Sequence, residues 1–203
     1  MKRQSSFVIG ILLFACASAS AQDRATAFGN VRFGETPVSV ANAMNAVGLT
    51  PYQKAKVDLR FALDQTFHGV VLGQQALVMA LFNQNGGLEK MIVSFVTDDE
   101  SCLPFYQQFK DDLKEHYGPT SVETERYDFP YHDGGHVGSE VTAIRTGKSH
   151  INATWQREDA GVNGGRISLS VENNLTVYLT YESATWANEA GRRAAMASGP
   201  ASE

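Results

Sequence analysis

The spacing of apolar residues separates helical from extended segments, and it marks a helix soon after the start of the chain. Thr36 and Pro37 are typical of a helix N-terminus, because Thr caps helices well and Pro suits the first helical turn. Val40 and Met44 then recur at helical spacing. Gly48 follows where a C-terminal cap belongs, so the pattern predicts a first helix that ends there.

A second helix is predicted over residues 102–117. Its apolar residues fall at helical spacing on one stripe, namely Cys102, Tyr106, Phe109, Leu113 and Tyr117. Asp98 precedes the stripe, where acidic residues favour a helix N-terminus. Gly118 and Pro119 cannot continue a helix, so they end it.

Extended segments are predicted between these two helices. Residues 57–64 alternate apolar and polar side chains, and 69–72 form a short strand. Residues 76–82 and 88–96 flank an Asn/Gly-rich stretch at 83–87, a strong hairpin signal. Both faces of 76–82 are apolar, which predicts a central strand that is covered on both sides.

The second half of the chain has mostly strand patterns after the second helix. A segment rich in Gly, Asp, Pro and His at 127–138 predicts a long loop. Strands are predicted over 141–146, 151–156, 167–172 and 175–181, and the short connections between them favour an antiparallel meander. An Ala-rich tail at 184–203 predicts a short helix near 184–196 and a disordered end.

The element order predicts an α+β fold. Each half of the chain reads as a helix followed by about four strands. We therefore predict one domain over residues 22–183, built of two repeats at about 28–97 and 98–183. In each repeat a helix packs on one face of an antiparallel meander sheet, and the other face is left to solvent or a partner.

The first 21 residues have the pattern of a secretion signal. Lys2 and Arg3 precede an apolar run at 7–15, which is too short to span a bilayer, and Ala19 and Ala21 suit a cleavage site. The alternative is a bacterial lipobox, in which Cys16 would carry a lipid anchor. The Ala-x-Ala pattern favours cleavage, so we predict a periplasmic or secreted protein without a membrane span.

The net charge and the cysteine content limit which partners the protein can bind and whether it can form a disulfide. Without the leader the chain has 15 basic and 22 acidic residues, a net charge of −7. Nucleic acids and anionic membranes need basic patches, so neither is a predicted partner. Only Cys102 remains after cleavage, so an internal disulfide is excluded and the fold depends on core packing. Nothing in the sequence predicts a cofactor.

Two short segments resemble a known envelope family. Residues 31–40 are similar to the helix-opening segment of the SmpA/OmlA outer-membrane assembly lipoproteins, and Tyr117-Gly118-Pro119-Thr120 is similar to their helix exit. The tandem helix-plus-sheet order also resembles the β-lactamase inhibitory proteins. These resemblances imply two tandem modules in the cell envelope. This chain lacks the paired cysteines of the inhibitor repeats, and no functional residue carries over.

The densest polar cluster lies in the predicted loop. His132, Asp133 and His136, with Asp128 nearby, could bind a metal, because imidazole and carboxylate are common ligands. The alternative is a loop tip in which Asp-Gly-Gly makes the turn. Cys102 at a helix N-terminus could be a nucleophile, but its place on the apolar stripe favours packing.

The second sheet offers a candidate binding surface. Its strands alternate between apolar residues, which meet the helix, and short polar residues with one tyrosine. The polar residues are Asn152, Thr154, Gln156, Ser168, Ser170, Thr176, Tyr178 and Thr180. Such a face is either solvated or suited to binding a protein or a glycan.

These patterns predict a non-enzymatic exported module that binds an envelope or secreted protein through that polar face. One alternative is an exported metal-binding protein or hydrolase centred on residues 128–136. Another is a carrier that holds a small apolar ligand between the helices and the sheet.

Overall fold

A computed structural model describes residues 27–52, 61–131, 137–156 and 165–198, which contain four α-helices and eight strands. The helices are α1 (Pro37–Ala46), α2 (Cys102–Tyr117), α3 (Val137–Arg145) and α4 (Trp186–Ser198). The strands of the first half are β1 (Thr50–Pro51), β2 (Gln65–Val71), β3 (Gln74–Phe82) and β4 (Leu88–Val96). Those of the second half are β5 (Val122–Tyr127), β6 (Ser149–Gln156), β7 (Arg166–Val171) and β8 (Thr176–Glu182).

All eight strands belong to one antiparallel sheet, in the order β1-β2-β3-β4-β8-β7-β6-β5. Strands within each half follow one another as a meander, and the halves meet where β4 pairs with β8, with Val93 opposite Leu179. The predicted α+β class is therefore confirmed. The meander order holds within each half and is broken at the β4–β8 junction, since β5 lies at the far edge of the sheet.

The hydrophobic core lies between one face of the sheet and three of the helices. Buried residues of α1, α2 and α3 form one cluster with alternate strand residues such as Val78, Phe95 and Leu179. Phe95 contacts Phe105 and Phe109 of α2 edge-on, at ring-centroid distances of 5.1 and 5.4 Å. Each buried side chain of this size contributes about 1.5–3 kcal/mol, so this single layer of helices anchors the sheet.

Local signals place α1 and α2 where the sequence predicts them. The N–H of Ser39 donates to the Thr36 hydroxyl at 3.3 Å, which caps α1, and Gly48 takes a positive φ of 83° just after it. Before α2 the Asp98 carboxylate accepts from the N–H of Ser101 at 2.8 Å. Gly118, with φ 82°, ends α2, and its carbonyl accepts from the Trp155 indole at 3.0 Å.

The strand predicted over residues 141–146 is wrong, because the chain is helical there and forms α3. Val141 and Ile144 are buried one helical turn apart, and the Thr146 hydroxyl donates to the Thr142 carbonyl at 2.8 Å. Their β-branched side chains favour strands, but packing against the core decides the outcome. The strand that completes the second half is β5, which precedes α3. The predicted 127–138 loop also overlaps both β5 and α3.

The first half departs from prediction at two places. Residues 61–64 of the predicted 57–64 strand form a turn, in which the N–H of Asp64 donates to the Phe61 carbonyl at 3.0 Å. The rest of that segment, 53–60, lies outside the described residues. The predicted 69–72 strand is the longer β2. Leu72, with φ 52°, belongs to its hairpin turn together with Gly73.

The C-terminal helix is confirmed as α4, which covers most of the predicted 184–196 segment. Residues 199–203, predicted to be disordered, lie outside the described residues. None of the helices in the described ranges is long and apolar enough to cross a bilayer.

Candidate functional site

The sheet face turned away from α1, α2 and α3 is the candidate site, and we call it the outer face. It consists of the strand positions that alternate with the core residues, and register places them in rows across the sheet. One row joins Thr154, Ser168 and Thr180 on β6, β7 and β8. The next joins Asn152, Ser170 and Tyr178 on the same strands. These six side chains are half-buried and together form the hydroxyl half of the outer face.

Six of the eight predicted binding residues therefore share one continuous surface. The other two lie at its margins. Thr176 is only 6% exposed, so its side chain offers little surface to a partner. Gln156 is exposed at the end of β6, where its N–H donates to the Ser121 hydroxyl at 2.9 Å. Register thus brings the six together on one surface of the sheet.

The outer face continues past β8 into the first half of the chain. Both rows extend across the β4–β8 junction, one to Ile92 and Met79 and the other to Ser94 and Leu77. The aliphatic residues among them are Leu77, Met79 and Ile92. These three and Leu81 are half-buried, and none belongs to the core cluster. They form the aliphatic half of the outer face.

The sequence contains a signal for the aliphatic half, but that signal fits two arrangements. The apolar residues on both faces of β3 predict a strand covered on both sides. β3 is indeed central, between β2 and β4, yet only one of its faces joins the core. The other face supplies Leu77, Met79 and Leu81 to the outer face. A strand with apolar residues on both faces is therefore not always covered on both sides. One face can belong to the core while the other is available to a partner.

A charged row closes one end of the outer face. Glu182 is 7% exposed and accepts from the Lys90 ammonium at 2.8 Å and from the Arg166 guanidinium at 2.6 Å. Lys90 also lies 4.9 Å from the ring centre of Trp186, the first residue of α4. Each buried charge here has a partner of opposite sign, so this row fixes the geometry of the sheet end rather than attracting an ion.

The helix α4 is attached beside this row through ionic contacts. The Arg193 guanidinium donates to both carboxylate oxygens of Asp64, at 2.7 and 2.8 Å, and to the Phe82 carbonyl at 2.6 Å. Glu189, 7% exposed, accepts from Arg192 and Arg193, and these bonds lower its pKa. Along its described length α4 adds no apolar residue to the buried core.

Of the predicted metal cluster, the described structure contains only Asp128. His132, Asp133 and His136 lie outside the described residues. Nearby, the Asp128 carboxylate and the His150 imidazole are 3.1 Å apart, and this hydrogen bond lowers the pKa of Asp128. Within the described ranges, no group of three His, Cys, Asp or Glu side chains could hold a metal.

Cys102 is fully buried at the start of α2. Burial raises the pKa of its thiol and outweighs the opposing hydrogen bond with Thr97. Because the thiolate is the reactive form, a buried thiol with a raised pKa is a poor nucleophile. The packing interpretation of Cys102 is the one that its position supports.

No protein-family model, curated protein or solved structure matches this chain. Kinship with the SmpA/OmlA lipoproteins or with the β-lactamase inhibitory proteins stays a prediction from the sequence.

Proposed function

We propose that the protein is an exported, non-enzymatic module that binds a protein partner through the outer face of its sheet. The observation that carries this proposal is the composition of that face. An aliphatic half on β3 and β4 lies beside a hydroxyl half on β6, β7 and β8, in shared rows. Protein interfaces combine apolar and polar area in this way, and they are enriched in aromatic residues such as Tyr.

The same composition favours a protein over a glycan as the partner of the outer face. Leu77, Met79 and Ile92 would bury aliphatic surface, and the neighbouring Ser, Thr and Asn side chains would supply hydrogen bonds. Tyr178 lies in the row between Ser94 and Ser170, where a large amphipathic side chain can anchor a partner. The few charges at the end of the face are already paired, so the partner need not be strongly charged.

The location and the repeat organisation belong to the proposal as well. The leader-like first 21 residues support export to the periplasm or the medium, with a partner in the cell envelope or secreted. Each half of the sheet is a four-strand meander that follows a helix, and the halves meet at β4 and β8. We take the halves as two structural repeats that build one binding face.

The test uses two substitutions on the outer face. Tyr178→Ala removes the anchor, and Thr154→Glu adds a negative charge to the hydroxyl half, on β6. Purified exported protein, with and without these changes, is used to capture partners from envelope extract, and the affinity of each captured protein is then measured. We expect each substitution to weaken specific binding about tenfold or more.

Two matched controls complete the design. Phe129→Ala removes an aromatic residue that is 90% exposed and lies outside the strands. Gln108→Glu adds the same charge on the exposed side of α2. Both should leave binding unchanged. If every specific partner bound Tyr178→Ala and Thr154→Glu as well as the unaltered protein, the outer face would not be the binding surface.

A further inference from the structure

One edge of the sheet presents a strand with only one neighbour. β5 pairs with β6 along its whole length, from Val122 opposite Thr154 to Tyr127 opposite Ser149. In the described part of the chain no strand lies on its other side. The opposite edge differs, because β1 has only two residues and one of them, Pro51, lacks an N–H. β5 is therefore the longer and better template for another strand.

The backbone of β5 alternates between bonding to β6 and pointing outward. The N–H of Asp128 donates to the Lys148 carbonyl at 2.8 Å, which continues the β5–β6 register by one residue. Alternation from that bond directs the backbone groups of Arg126 and Thr124 to β6. The N–H and C=O groups of Glu125 and Glu123 then point away from the sheet, where they are available for a further strand.

The side chains along this edge are mostly exposed, and they set the charge that a further strand would meet. The Glu123 carboxylate is neutralised by Lys110 and Lys114 of α2, at 2.7 and 2.9 Å. Glu125 lies on the same side of the strand, is exposed, and has no cation paired with it in the described ranges. On the other side Val122 is 57% exposed.

A second copy of this chain does not suit the edge. Directly opposed residues in paired strands point to the same face of a sheet, and like charges in that position are destabilising. Two β5 strands can pair only if the outward backbone groups of Glu123 and Glu125 in one strand meet outward groups of the other. Every such antiparallel register that joins three or more residues opposes either two of the glutamates or Arg126 with itself. Self-pairing is therefore disfavoured, and the free edge selects a different sequence.

We propose that the β5 edge accepts an extended segment of another protein as an added strand, with a Lys or Arg opposite Glu125 and a neutral residue opposite Glu123. The added cation would neutralise the Glu125 carboxylate. The Glu123 carboxylate needs no further cation, because Lys110 and Lys114 already pair with it. Backbone hydrogen bonds would supply most of the affinity, and this charge pair would supply selectivity. The proposal goes beyond the function above, since it concerns the edge of the sheet and not its outer face.

The probe is a pair of synthetic peptides read by NMR on the full mature protein. The first, acetyl-Thr-Glu-Lys-Val-Thr-Val-amide, places its Lys opposite Glu125 in an antiparallel register. The second replaces that Lys by Glu. We expect the Lys peptide to slow amide hydrogen exchange at Glu123 and Glu125 and to bind about fivefold or more tightly than the Glu peptide.

Two variants separate edge pairing from general charge attraction. Glu125→Lys should reverse the preference, so that the Glu peptide binds better. Glu125→Pro removes the outward N–H and the carboxylate but no hydrogen bond to β6, so it should keep the melting temperature within a few degrees and abolish binding of both peptides. Tyr178→Ala should leave peptide binding unchanged, which keeps this test independent of the outer face. Equal binding of both peptides to the unaltered protein, or no protection of the Glu125 amide at millimolar peptide, would overturn the proposal.

Discussion

Replacing Arg193 by Ala should release α4 while leaving the rest of the fold intact. Arg193 makes three hydrogen bonds to Asp64 and to the Phe82 carbonyl, and its side chain is 14% exposed. Breaking a buried ion pair costs about 3–5 kcal/mol when the remaining charge has to stay buried. Here the remaining carboxylates, Asp64 and Glu189, have another route, because α4 can move away and let water reach them.

The structure limits how much the release of α4 can cost. This helix contributes no fully buried apolar residue to the core in the described ranges, so the apolar surface lost when it detaches is limited to half-buried residues such as Trp186 and Met196. We therefore expect a loss of about 1–3 kcal/mol that is confined to α4. In hydrogen exchange this corresponds to about 5-fold to 150-fold faster exchange over Trp186–Ser198.

Hydrogen exchange measured by mass spectrometry gives the local effect, and urea unfolding followed by circular dichroism gives the global one. The control is Arg145→Ala, which breaks a pair with Asp99 in which both side chains are more than half exposed. That change should alter neither measurement by more than about 1 kcal/mol. Unchanged exchange over α4 in Arg193→Ala would refute the ionic attachment, and an equal loss across the core strands would refute its local character.

Three further predictions concern single side chains. Two hydrogen bonds from Lys110 and Lys114 lower the pKa of Glu123 to about 2. Its stabilising contribution, about 1–2 kcal/mol after allowance for solvent screening, should hold above pH 4.5 and disappear as the pH falls toward 2. Glu123→Gln should flatten that part of a urea-midpoint titration, and an unchanged acid slope would contradict the assignment. Gly165→Ala should destabilise the protein by more than about 2 kcal/mol, because its Cβ would lie 2.5 Å from the Glu182 carbonyl oxygen, whereas Gly191→Ala in α4 meets no atom within 4 Å and should be neutral or stabilising by up to about 1 kcal/mol. Thermal unfolding of the two alanine variants checks this contrast, which fails if they behave alike. Cys102 should react with a thiol reagent only as fast as the protein unfolds, so rapid labelling in native buffer would show that its burial is incomplete.

Local chemistry made part of this fold predictable. α1 and α2 combine a helical repeat with a cap and a glycine stop, and all of these signals lie within the segment itself. The sequence does not predict α3, because Val141 and Ile144 carry a strand-like signal that packing against the core overrides. The helix at the C-terminal end was found from its Ala-rich composition.

The candidate surfaces were predictable only in part, for a different reason. Alternation along β6, β7 and β8 predicts the hydroxyl half of the outer face, because successive side chains of a strand point to opposite faces of the sheet. Its continuation to Met79 and Ile92 depends on pairing between β4 and β8, which no local pattern specifies. The free edge of β5 likewise depends on which strand ends up outermost.

The β4–β8 junction has a consequence for how the chain is made. β8 is the last strand that the structure describes, yet it lies in the centre of the sheet and pairs with β4, the last strand of the first half. A chain that emerges from its N-terminus first must keep the edge of β4, with Met91, Val93 and Phe95, unpaired until β8 has been synthesised. During that interval a nascent chain presents a long, apolar strand edge that can pair wrongly. Chains cut short before β8 should therefore precipitate rather than fold as half-domains, and a holding chaperone during synthesis or export would have β4 as its natural binding segment.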